Sequence, residues 1–305
     1  MERDSVGLSE RQRDAYLGRL GFVEREIAEI AEIAEGLQPA AGRSPAGAGG
    51  AERAREALDR LVWAHQTHVP FEDLSINRLH EPVQLDVEAL FDKVVVRGRG
   101  GYCFELNLLF EALLRSLGFS VSPRMGRNMR NLPEGAVAPV MHRAEIVELG
   151  GERLYVDVGY GGPMAGCAIP VADGARVASG RHEFEVRRSD PGWWLVSYRS
   201  AGCAGGADSS CGGRLGDEDE GFKPVLAFQD AVAADEDFEL LSWYAETHPT
   251  SPFVRNLILN LRTEAGNVSM RNGALTRVDD GDSTTTEVAD ADLDAVLREV
   301  FGLEI

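Results

Sequence analysis

Residues 144–157 read A-E-I-V-E-L-G-G-E-R-L-Y-V-D, two runs of alternating apolar and polar residues hinged on a glycine pair. Paired glycines between such runs mark a tight β-hairpin, because both turn positions can take positive φ. A two-residue turn at Gly150-Gly151 places Leu149 opposite Glu152 and, counting outward, Ala144 opposite Asp157. Side chains alternate along a strand, so His142 shares the face of Ala144 and becomes a diagonal neighbour of Asp157. Diagonal neighbours lie about 7–8 Å apart, within reach of an imidazole and a carboxylate. An odd-length turn would send the two to opposite faces, so this turn decides whether they can meet.

Ahead of the hairpin the period is helical. Residues 9–20 open on a capped start at Ser9. Ile27, Ile30 and Ile33 form one stripe, a further helix runs from about Glu52 past His65, and Leu106, Leu109, Leu113 and Leu117 mark the apolar face of another, stopped by Gly118. From about Val121 the period becomes two, with further strands expected at 183–187 and 193–198. The last third predicts a helix at 235–246, strands at 257–263 and 267–271, and a closing helix at 290–300. Residues 36–50 and 202–221 are glycine-rich and read as exposed loops, the second mobile. Helices, then strands, then a mixed tail predict an α+β chain in three parts, residues 1–117, 118–222 and 223–305.

Residues 97–107, R-G-R-G-G-Y-C-F-E-L-N, set Cys103 behind three glycines and two arginines, at the head of the helix at 104–117. A helix N-terminus and nearby cations lower a thiol's pKa. Locally, the same residue serves equally well as a small filler in a turn. His142 with Asp157 tips the balance, since a carboxylate-oriented imidazole is what activates such a thiol.

Composition narrows the partners. The net charge is −19, which argues against nucleic acid, whose binding needs clustered cations. No apolar run is long enough to span a membrane and no secretory signal opens the chain, so a cytoplasmic location is expected. Four irregularly spaced cysteines predict no disulfide framework, and Cys203 with Cys211 lack the companions of a zinc site, so no metal is expected. His65 and His68 read as packing residues rather than ligands.

Several segments together resemble the arylamine N-acetyltransferase family. R-G-G-Y-C-F-E-L-N is similar to its nucleophile motif, H-V-P-F-E-D-L (68–74) to its P-F-E-N-L segment, and M-H-R (141–143) to the segment carrying the base. V-D-V-G-Y-G-G (156–162) resembles the acid-bearing D-V-G-F-G-G, and residues 14–21 and 237–253 resemble the family's two ends. The resemblance implies a helical bundle, a β-barrel and an α/β lid with a transglutaminase- or papain-like Cys-His-Asp site. It implies a ping-pong transfer of acetyl from acetyl-CoA, through Cys103, to a small aromatic amine or hydrazine, with His142 as base and Asp157 as its orienter. Glu72 is expected to brace the turn through Arg99, and Phe71, Phe104 and Tyr160 to line the acceptor site. Arg124, Arg127 and Arg130 are candidates for CoA phosphates. A monomer or weak homo-oligomer is expected. Met141, Asp73 and Ser242 depart from the family pattern. The second reading is an amide synthase that moves a larger acyl chain, as in ansamycin macrolactam closure; the Arg-rich, Lys-poor composition suits bacteria that host such pathways. A transglutaminase-like peptidase and a non-catalytic binding module are weaker alternatives.

Overall fold

A computed structural model describes residues 7–37, 48–133, 136–200 and 221–304. The first part holds α1 (Glu10–Arg19), α2 (Glu24–Leu37) and α3 (Ala48–His68), followed by the two-residue strand β1 (Phe71–Glu72), α4 (Val87–Phe91) and α5 (Cys103–Ser116). The Ser9 hydroxyl accepts from Gln12 N and the Gln12 side chain accepts from Ser9 N, so α1 is capped as its sequence predicts. Helix α2 continues through Leu37 and α3 begins at Ala48, so both edges of the expected 36–50 loop are helical; residues 38–47 lie outside the described residues.

Eight strands then form one antiparallel sheet in the order β5-β4-β3-β2-β9-β8-β7-β6. They are β2 (Ser120–Asn128), β3 (His142–Leu149), β4 (Glu152–Val156), β5 (Ile169–Pro170), β6 (Ala175–Ser179), β7 (His182–Arg188), β8 (Trp193–Ser200) and β9 (Lys223–Gln229). The sheet curls until its edge strands β5 and β6 approach one another, giving a nearly closed barrel. Strand β9 lies between β2 and β8, so the barrel runs past residue 222, where the sequence reading set its edge. Most of the 202–221 stretch, with Cys203 and Cys211, lies outside the described residues.

Strand alternation divides β3 between two cores. Ala144 and Ile146 pack inside the barrel with Tyr155, Phe184 and Phe228, whereas Val147 packs outward against the helices, beside Leu154, Leu106 and Leu113. The β3–β4 hairpin has the two-residue turn: Leu149 pairs with Glu152 and Glu145 with Val156, and Gly150 and Gly151 have φ of 61° and 86°.

The last part comprises α6 (Asp235–Thr247), α7 (Pro252–Arg255), β10 (Ile258–Arg262), β11 (Gly266–Arg271), β12 (Ala274–Asp279), β13 (Asp282–Glu287) and α8 (Leu293–Phe301). Its sheet has the order β1-β10-β11-β12-β13. The edge strand β1 is lent by the first part, with Phe71 opposite Asn260 and Glu72 opposite Leu259. Leu293, Leu297 and Phe301 of α8 pack on this sheet with Leu259, Val268 and Met270. Among the described residues no helix is long and apolar enough to cross a membrane.

Candidate active site

Helix α5 begins at Cys103, one residue before the sequence places its start, so the thiol sits on the first helical residue at the positive end of the helix dipole. The glycines before it have different tasks. Gly98 has φ of 67°, the left-handed turn that glycine favours. Gly100 is needed for space: an added Cβ would stand 2.0 Å from the Pro70 carbonyl oxygen. The same holds at Gly101, whose Cβ would come 2.8 Å from Glu105 Oε2. Sequence alone suggested backbone freedom at all three; close packing against residues 70–72 and α5 accounts for two.

A buried ion-pair network underlies this turn. Arg99 donates to Glu72 Oε1 from Nε at 3.0 Å and from Nη2 at 2.8 Å, and Leu74 N donates to Glu72 Oε2 at 2.7 Å. Lys93 Nζ lies 2.7 Å from Glu105 Oε1, while Glu105 Oε2 accepts from Tyr102 N at 3.1 Å. Burial pushes the Glu105 carboxyl up, and Lys93 pulls it back down. All four charged side chains are at least nine-tenths buried, so each needs its partner.

The hairpin brings His142 and Asp157 together. His142 Nε2 lies 2.7 Å from Asp157 Oδ2, and both residues are buried. Cys103 is near enough to His142 to act on its charge, and Cys103 Sγ lies 3.7 Å from the Met141 carbonyl oxygen. Burial pushes the imidazole down, but the charges of Asp157 and Cys103 and hydrogen bonds to both outweigh it, raising the group from 6.5 to about 10. The arrangement sets an imidazole that favours its charged form between a carboxylate and a thiol.

Asp157 accepts from four donors. Oδ2 takes His142 and the Tyr155 hydroxyl at 2.8 Å, while Oδ1 takes Asn107 Nδ2 and Gly159 N, each at 3.0 Å. Asn107 also donates to the Arg143 carbonyl at 2.5 Å and accepts from Val158 N at 2.9 Å, pinning α5 to both ends of the hairpin. Sequence reasoning assigned Asn107 and Tyr155 no role. The signal was present, since Tyr155 shares the Asp157 face two residues away and Asn107 lies one helical turn beyond Cys103.

The expected acceptor walls separate. The Tyr160 ring meets His142 edge-on at 5.7 Å, and Phe71 packs against the backbone at Gly161. Phe104 turns into the core, fully buried between Tyr102 and Phe238, and presents no ring face to a ligand. The arginines at 124, 127 and 130 do not form one patch, because strand alternation puts Arg127 on the face opposite Arg124 and Arg130 lies beyond the end of β2. Arg124 is buried and donates to the Ser122 and Pro123 carbonyls; Arg127 donates to Ala138 O and stacks over Trp193 at 4.8 Å; Arg130 alone is exposed. His65 is a core residue, hydrogen-bonded to the Tyr16 hydroxyl at 2.8 Å, and His68 bonds back to the Ala64 carbonyl. Among the described residues no three His, Cys, Asp or Glu gather as a metal would require.

Residues 55–305 match the family model described as N-acetyltransferase. The arylamine N-acetyltransferase of Mycolicibacterium smegmatis is 33% identical over 255 residues, covering 81% of this chain and 85% of that protein. The arylamine N-acetyltransferase / N-hydroxyarylamine O-acetyltransferase of Salmonella typhimurium is 30% identical over 254 residues, covering 82% and 83%. Among solved structures, the Mycobacterium marinum arylamine N-acetyltransferase in complex with CoA superposes with a TM-score of 0.71 at 25% identity, over 82% of this chain and 86% of that one. The chain belongs to the arylamine N-acetyltransferase family.

Proposed function

We propose that this chain is an acetyl-CoA-dependent N-acetyltransferase acting on arylamines and arylhydrazines through an acetyl-Cys103 intermediate. The reading rests on one observation, the 2.7 Å His142–Asp157 pair set beside a thiol at the first residue of α5. In the first half-reaction the Cys103 thiolate attacks the thioester carbonyl. The oxyanion that develops is met by backbone N–H groups at the start of α5. The CoA thiolate leaves with the proton held on His142. In the second half-reaction the amine nitrogen attacks the acetyl carbon, His142 takes its proton, and the Cys103 thiolate departs, restoring the ion pair. Asp157 holds the imidazole in one tautomer and stabilises its charged form. Glu72 and Arg99 keep the turn in shape without touching substrate. Phe71 and Tyr160 flank the acceptor, and Arg130 is the cation left exposed for a CoA phosphate. The low cysteine count supports action in the cytoplasm.

Intact-mass measurement tests the reading. Acetyl-CoA alone is expected to add one acetyl group, an arylamine to remove it, and Cys103→Ala to take none. An adduct formed only from a longer acyl thioester would transfer the assignment to an amide synthase. No adduct from any thioester would overturn both.

A further inference from the structure

The carboxylate that faces His142 is shared. Asp157 Oδ2 accepts from His142 Nε2 at 2.7 Å and from the Tyr155 hydroxyl at 2.8 Å. With Asn107 and Gly159 on Oδ1, all four lone-pair positions of the carboxylate are filled. Tyr155 is 1% exposed, its ring packs on Phe228 with centroids 4.8 Å apart, and its position on β4 is fixed by pairing with Ile146. Burial, then the Asp157 charge, pushes the phenol well above its ordinary value, so it keeps its proton and acts as a donor.

We propose that Tyr155 is a positioning residue whose hydroxyl competes with His142 for Asp157 Oδ2 and limits how strongly that oxygen holds the imidazolium. The inference rests on the acetyl-cysteine reading. In the free enzyme the Cys103 thiolate is a second partner for the imidazolium. In the acetyl-enzyme that sulfur is a neutral thioester, and Asp157 alone among these partners favours the charged ring. The amine's proton can pass only to a neutral His142, so the transfer step depends on what Tyr155 withholds. The surrounding groups leave this role to Tyr155. From α5 come Cys103 and Asn107, and from the segment after β4 comes Tyr160, whose ring meets His142 edge-on. On β2 the residue opposite His142 is Gly126. Arg143, next on β3, turns away to Glu111, Glu145 and Asp235.

Tyr155→Phe keeps the ring and deletes the donor. The expected result is a split between the two half-reactions. Acetyl-adduct formation keeps its rate, while the acid limb of acetyl transfer to the amine moves to higher pH by roughly half a unit, about a threefold loss on that limb. Replacing Tyr155 with 3-fluorotyrosine, a stronger donor of nearly the same size, is expected to move the limb downward, and serves if the Phe variant does not fold. A limb that stays in place, or shifts equally in both half-reactions, would overturn the proposal and leave Tyr155 a packing residue. Titration of the His142 ring by NMR in Cys103→Ala, with and without Tyr155→Phe, reads the same effect without any acyl donor. An upward shift there with no acetyl adduct in the unsubstituted protein would sink the acetyltransferase reading and keep the role of Tyr155. No shift would sink the role of Tyr155 alone.

Discussion

Asp73 shows how far one carboxyl can be pushed by where the chain folds. It stands where the family motif carries asparagine, and it is buried beside the bottom of the nucleophile turn. Its Oδ1 accepts from Ile258 N at 2.8 Å, and its Oδ2 has no hydrogen-bond partner. Burial, with the neighbouring Glu72 charge, raises it from 3.8 to about 8, against the pull of backbone donors. A folded-state pKa above the unfolded one means that the folded chain holds more protons between those values, so stability falls as pH rises from about 4 to about 8. Asp73→Asn removes that dependence. The variant is expected to match the parent near pH 4 and to gain an advantage of up to a few kcal/mol that grows to about pH 8 and then levels, read from thermal melts across pH. The sequence could show the departure from asparagine but not its environment, because the donor to Asp73 lies 185 residues away. His142 with Asp157 was legible for the opposite reason: their meeting depends only on strand alternation and one glycine turn.

At the scale of elements, the turn into α5 was readable in outline and misread in cause. The run R-G-R-G-G announces a sharp approach to a helix, yet spacing cannot say which glycine is bent and which is crowded. The structure separates them, and substitution checks it. Gly98→Ala meets open space at φ 67° and is expected to cost about 1 kcal/mol with Cys103 still reactive. Gly100→Ala must displace the Pro70 carbonyl and is expected to destabilise by more than about 2 kcal/mol and to slow iodoacetamide alkylation of Cys103 sharply. Equal effects of the two changes on that alkylation rate would contradict the assignment. Strand β1 escaped sequence reading altogether. Two residues carry no period, and their partners, Asn260 and Leu259, belong to a different third of the chain.

Across the whole molecule, one half-buried guanidinium joins the three parts. Arg262 reaches from β10 to Gln66 Oε1 on α3 at 2.6 Å and to the Met164 carbonyl at 2.9 Å, over the face of Trp63. Gln66 in turn donates to the Asp157 carbonyl at 2.9 Å. Burial lowers the Arg262 guanidinium to about 10, and no described carboxylate pairs with it, so its hydrogen bonds serve to hold parts together more than to add stability. Arg262→Met is expected to change overall stability by no more than about 2 kcal/mol while hydrogen exchange in β10–β13 rises selectively. Unchanged exchange there would show that Arg262 does not help to anchor that sheet. The β1–β10 pairing carries a consequence for how the protein is made. A chain growing from the ribosome holds Cys103, His142 and Asp157 long before residues 258–262 exist to roof Phe71 and Glu72. All three are thus synthesised before β10 can pair with Phe71 and Glu72, so the segment that carries the Arg99 partner Glu72 gains its strand neighbour only late in synthesis.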